Sequence, residues 1–250
     1  MLNTTPKMKK IILLLALSLF LGMIAKSQWT DPRPGGSIGP FKNFNVYTHN
    51  TAIDGSFVNF NTIENTKGKR YLFDDWVKGS VITPKGELVN ADSLHYNFDK
   101  ISNLLLITAD EKNVIAVDRS SISSFSLSDG HEDYHFERVD VINPQAFLQV
   151  LEKKNNGYIL YKLTVTKFEK ADYHTDGLME SGKSYDEYSD QYKYFVVLPD
   201  NKGYKTVVLK GKVIKEAFDD NPKFNEFYSS RKNAAVNESY LIEVVRFLNQ

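Results

Sequence analysis

The sequence predicts a mainly β protein of the α+β kind: an antiparallel meander sheet or open half-barrel with two to three short C-terminal helices. Three observations predict it. Between Arg70 and Gly211, short apolar segments alternate with turn residues at hairpin spacing. In GYILYKLTVTKF, Ile159, Tyr161, Leu163 and Val165 share one side while Lys162, Thr164 and Thr166 share the other, the period of a strand. Beyond Gly211 the apolar period becomes that of a helix.

The organisation expected along the chain is a signal peptide over 1–27, an irregular Pro/Gly-containing segment over 28–69, an antiparallel β domain over 70–211, and a helical cap over 212–250 packed on that same domain. DPRPGGSIGP punctuates the second segment, which offers at most one or two short strands. In the β domain, LFDDWVKGSVIT and GELV flank the turn Thr83–Gly86. SLHYNFD (93–99), NLLLITAD (103–110), NVIAVD (113–118), SISSFSLSDG (121–130) and YHFERVDV (134–141) continue the meander. AFLQVLEKK meets GYILYKLTVTKF across Asn155-Asn156-Gly157, a strong hairpin signal. YKYFVVL (192–198) and YKTVVLKG (204–211) form a further pair. Its simplest register places Phe195, Val197, Val207 and Leu209 on one face. Strands with one apolar side imply one side in the core and one in water.

The cap divides by its own signals. Val213, Ile214, Ala217 and Phe218 form one apolar turn. Pro222 is suited to open a second helix, with Phe224, Phe227 and Tyr228 on its stripe. Asn237 is placed to cap a third that turns Tyr240, Leu241, Val244, Val245 and Leu248 inward.

Compartment and charge narrow the function. Lys7, Lys9 and Lys10 precede the apolar run Ile11–Ala25, and Ala25 and Ser27 stand where a signal peptidase needs small residues. That run, about 15 residues, falls short of a comfortable bilayer span. The chain is therefore expected to be exported to the periplasm or beyond the cell, without a transmembrane span after cleavage. It contains no cysteine, which excludes a lipoprotein anchor, disulfides and thiolate chemistry. Of 31 basic and 31 acidic side chains, the first 27 residues hold four lysines and no acid, leaving a formal charge of −4. A nucleic-acid partner would call for the opposite balance.

Several motifs invite chemistry. GLMESGKS matches a phosphate-binding loop through Gly177, Gly182, Lys183 and Ser184. Such a loop must leave a buried strand and enter a helix whose N–H groups hold the phosphates. Here EKADYHTD separates it from the preceding strand and YDEYSDQYKYF follows, so the match is read as chance and no cofactor is expected. HEDYH brings His131 and His135 to metal-ligand spacing for a helix, whereas on an extended strand they stand about 13 Å apart. They are weak metal candidates. No nucleophile elbow or zincin motif occurs. The chain holds 14 Tyr and 16 Phe. The crowded tyrosines supply a possible interface at Tyr185, Tyr188 and Tyr192.

KGSVITPKGELVNADSLHYNFDKISNLLLI, with its W-x-x-G-x-V and L-x-Y-N patterns, the central YKL strands and the helix after VNES resemble uncharacterised secreted β-rich proteins of Bacteroidota over residues 65–250. That resemblance implies no activity. A remoter similarity is to the open antiparallel half-barrel of periplasmic lipoprotein carriers, from which the C-terminal gathering of helices departs. The expectation is a non-enzymatic exported or envelope protein binding a protein, a glycan or an apolar ligand. A periplasmic hydrolase and a structural part of an envelope assembly are the alternatives.

Overall fold

The structure, a computed structural model, describes residues 43–48, 51–61, 66–177, 179–231 and 233–250. The expected signal segment, 1–27, lies outside them. The fold is mainly β, with sheets that do not close into a barrel and three short C-terminal helices. A first sheet has the order β1 (Asn43–Thr48), β2 (Thr51–Val58), β8 (Val114–Val117), β7 (Leu104–Thr108), β6 (His95–Asp99). A second runs β16 (Tyr204–Val207), β15 (Asp186–Val197), β12 (Ile159–Glu169), β11 (Phe147–Lys153), β10 (Asp133–Arg138), β9 (Ser124–Ser128), β4 (Lys78–Ile82), β5 (Leu88–Val89). Every pairing is antiparallel except that of β3 (Thr66–Lys67), which lies parallel to the start of β15. A separate hairpin, β13 (His174–Asp176) and β14 (Met179–Ser181), projects between β12 and β15. Isolated bridges from Tyr71 to Asp99 and from Val77 to Tyr96 tie the β6 edge of the first sheet to the segment that enters β4.

Among the described residues three strands lie before Lys69, more than the irregular segment was expected to offer. β2 pairs closely with β8 because Gly55 has no side chain. A Cβ there would stand 2.5 Å from Ile115 Cγ2 and 2.7 Å from the Ala116 carbonyl oxygen. β8 is buried along its whole length, as LLLIT of β7 nearly is, so both faces of the first sheet are covered. Inward, Ile53, Phe98, Leu105, Ile107, Ile115 and Val117 meet Val81, Phe125, Leu127, Phe136 and Phe147 of the second sheet. The Phe125 ring lies 4.8 Å from Phe136 and 5.1 Å from Phe147, the separations favoured by aromatic pairs. Outward, Phe60, Tyr71 and Trp76 cover Leu106, Val114 and Ala116. The buried Asn97 side chain fixes this strap: its Nδ2 donates to the Phe73 and Asp75 carbonyls, and its Oδ1 accepts from Phe73 N–H.

The helices α1 (Gly211–Phe218), α2 (Pro222–Ser230) and α3 (Glu238–Leu248) carry the expected caps. Asn221 accepts from Lys223 N–H with Pro222 at the first position, and Asn237 accepts from Tyr240 N–H. Ile214, Phe218, Phe224, Phe227, Leu241, Val244 and Val245 bury against Leu160, Tyr194, Val196 and Val207. The helices thus cover the β12–β15–β16 end of the same face whose other end lies under the first sheet. Phe147 and Leu160 face these two cores from adjacent strands.

Two expectations about side-chain direction are corrected. The even-numbered face of β12 is not a wet face: Leu160 lies under the helices, Thr166 is buried, and Lys162 is mostly covered. The odd-numbered side packs with Leu148 and Phe195, and with Val139 and Ile142 from the connection before β11. Val207 and Leu209 also lie opposite Phe195 and Val197. The turn, with Asp200 at φ 58° and Gly203 at φ 117°, sets Tyr194 against Val207 and Phe195 against Thr206. A one-residue change of register exchanges faces, so the pattern of apolar letters left two solutions and the turn selected one.

Candidate functional site

The β7–β8 hairpin builds a pocket at one end of the inter-sheet core. Thr108 opens the turn by accepting from the N–H groups of Asp110 and Glu111 at 3.3 and 2.8 Å. Asp110 closes it: Oδ1 accepts from Lys112 N–H at 3.0 Å and Asn113 N–H at 2.7 Å, and Oδ2 accepts from Asn113 Nδ2 at 2.6 Å. These bonds, the one from Asn113 N–H foremost, hold the Asp110 carboxyl at about 2, well below the usual carboxylate range. Between this turn and β2 lies a cavity of about 430 Å³. Its apolar lining is Phe57, Leu94, Ile107, Ala109 and Ile115. Ile107 is fully buried, Leu94 and Ile115 nearly so, and Phe57 stands 47% exposed at the rim. The wall is an extension of the core, and its carboxylate is committed to the turn. It suits apolar contact and offers no poised general base.

None of these positions carries a local sequence signal. Ile107 and Ile115 resemble any core strand residue, and Asp110 resembles any turn residue.

The three tyrosines singled out by sequence are not gathered on one surface. Tyr188 is buried, its ring 4.8 Å from that of Phe168. Tyr185 is half-buried, with Lys67 Nζ 3.7 Å from its ring centroid. Tyr192 alone among them is exposed, at 52%, on the same face of β15 as Tyr188.

The phosphate-loop lookalike forms a hairpin. Gly177 takes φ 64° at its tip, Met179–Ser181 is β14, and Ser184 leads into strand β15 rather than a helix. Gly182, at φ 87°, brings the chain against Asp172, whose Oδ1 accepts from Lys183 N–H at 2.7 Å. Lys183 Nζ bonds Glu187 and Glu169, which raises its pKa above the ordinary lysine value. The amide and the ammonium that a phosphate would need are both taken by carboxylates.

His131 lies in the turn before β10, where its N–H donates to Asp129 Oδ1 at 2.9 Å. His135 is on β10, its Nδ1 2.8 Å from Ser126 Oγ across the strand pair. Among the described residues, no three His, Cys, Asp or Glu side chains gather as a metal ion would require. A second Ser–His contact joins His174 Nε2 to Ser181 Oγ at 2.9 Å on the projecting hairpin, with Nδ1 against the Asp172 carbonyl. Both pairs are exposed, and among the described residues no carboxylate orients either imidazole, as a catalytic triad would demand.

Among the described residues, no helix is long and apolar enough to cross a membrane. Compared with known proteins, the chain matches no family model, no curated protein and no solved structure. Fold and site define the class alone: a mainly β, antiparallel protein with a helical cap and an apolar pocket at one end of its sheet-to-sheet core.

Proposed function

We propose that this chain is a non-enzymatic, exported binding protein that takes an apolar ligand at the pocket beside the β7–β8 turn. One observation carries the reading. The cavity of about 430 Å³ has the core side chains Leu94, Ile107 and Ile115 on one side and Phe57 and Ala109 at its exposed rim, and its single carboxylate is spent on the turn. Small-molecule sites are commonly of this size and lined by apolar side chains with few polar groups. Export is supported by the basic, apolar and small-residue succession of Met1–Ser27.

The experiment is a titration with N-phenyl-1-naphthylamine, whose fluorescence rises in apolar surroundings, displaced by dodecanoate. Ala109 is exposed at the mouth, so Ala109→Trp fills the cavity without disturbing the core. The expected outcome is dye binding by the native chain and at least about tenfold weaker binding by that variant, the equivalent of about 1.4 kcal/mol. Equal binding by both defeats the proposal.

A further inference from the structure

On the shared face of the second sheet, Tyr192 stands exposed in the gap between the contact made by the first sheet and the contact made by the helices. Going along that face of β15, Asp190 is bound by Lys100, which comes from the β6–β7 turn of the first sheet, at 2.6 Å. Tyr194 hydrogen-bonds Glu238, at the start of α3, at 2.8 Å. Asp190 and Tyr194 stand four residues apart, about 13 Å on an extended strand. Tyr192 is midway between them, 52% exposed, with Lys162 Nζ 5.3 Å from its ring centroid. Thr164 is its cross-strand partner on the floor, and Gln149 pairs with Lys162 one strand further in. Among the described residues, none pairs with the outer edge of β15 from Ser189 to Lys193, because the pairing with β3 ends at Glu187 and that with β16 starts at Tyr194. Gln191, Tyr192 and Lys193 are exposed along this stretch.

We propose that this gap is a subsite for a neutral saccharide, with the Tyr192 ring as its platform. The charges argue for a neutral occupant. Lys100 is matched by Asp190, and Lys162 by Glu238 at 3.1 Å, so each wall is a closed ion pair and neither sign is in excess. The hydrogen-bonding groups argue for a polyhydroxyl one. Thr164 hydroxyl and Gln149 amide, both half-buried, make no side-chain hydrogen bond to the described residues and present donors and acceptors together. A sugar ring supplies the complement, an apolar C–H face for an aromatic ring and hydroxyls that both donate and accept. This site is distinct from the apolar pocket and stands whether or not that pocket binds.

The test is a chemical-shift titration of the native chain with cellotetraose, maltotetraose, chitotetraose and mannotetraose at millimolar concentration. At least one is expected to move the signals of Tyr192, Thr164 and Gln149 together. Tyr192→Ala is expected to weaken that binding at least about tenfold, and Tyr192→Phe to change it less than about twofold, because stacking needs the ring and not its hydroxyl. Gln149→Ala, which leaves the platform intact, is expected to give an intermediate loss. Failure of all four sugars to move these signals overturns the proposal. So does a titration that Tyr192→Ala leaves unchanged, or an extended peptide that shifts the open β15 edge where the sugars do not.

Discussion

The side chain of Asn249 pairs with the backbone of Tyr158 as a neighbouring strand would. Its Oδ1 accepts from Tyr158 N–H at 2.8 Å and its Nδ2 donates to the Tyr158 carbonyl at 3.0 Å. Lys154 Nζ reaches the Asn249 carbonyl from the same hairpin. The last turn of α3 is thereby fastened to the β11–β12 turn, and Gly157 gives it room: a Cβ there would stand 2.6 Å from Asn249 Oδ1.

Removing this clasp leaves two backbone groups of Tyr158 without partners in a half-buried place. Asn249→Ala is expected to cost about 1–3 kcal/mol, read as a lower urea midpoint with an unchanged slope. Asn249→Asp keeps the acceptor but loses the donor, and should fall between the two.

Alkaline pH should unfold the protein through its buried phenols. Tyr96 is fully buried, its hydroxyl has no hydrogen-bond partner among the described residues, and burial pushes its pKa up to about 12. Burial also raises Tyr161 and Tyr194, each of which donates to a glutamate. A folded pKa above the unfolded one means stability that is whole below about pH 10 and lost as pH rises through the folded value. Tyr96 alone accounts for on the order of 2–3 kcal/mol across that window. Denaturant melts at pH 9, 10 and 11 are expected to show the decline, and Tyr96→Phe to flatten it. A native chain whose midpoint does not move above pH 10 contradicts this.

Lys183 illustrates an ion pair of little global weight. Its carboxylate partners sit at the foot of the projecting hairpin, and the ammonium is 44% exposed. Lys183→Ala is expected to leave the global denaturation midpoint nearly unchanged, while proteolysis within 170–185 becomes faster. It should leave the chain equally indifferent to ATP with magnesium. Nucleotide binding that disappears in Lys183→Ala would overturn the reading of this segment as a hairpin.

The amount legible in the sequence differs between segments for physical reasons. Helix caps are local: Asn221, Pro222 and Asn237 act on N–H groups two or three residues away, so the cap positions and inward stripes of the three helices follow from the letters. The Asn155–Gly157 hairpin is local as well, with Asn156 at φ 57°. The pairing of Val207 depended on a longer turn, and the pattern alone chose the wrong face. Tyr185, Tyr188 and Tyr192 are close in sequence, but the arrival of Lys67, Phe168 and Lys162 from other segments gave them three different surroundings.

By itself, then, the sequence determined the β-rich class, the succession of the main strands between 70 and 211, the three helices after them and which helix faces are buried, because period and capping are short-range properties of the chain. Only the tertiary structure decided how the strands divide into two sheets, that both the first sheet and the helices share one face of the second, and where the apolar pocket and the Tyr192 gap open. Those features are made by residues such as Lys100 and Asp190, 90 positions apart, whose meeting depends on packing of the whole and leaves no trace in any window of neighbouring letters.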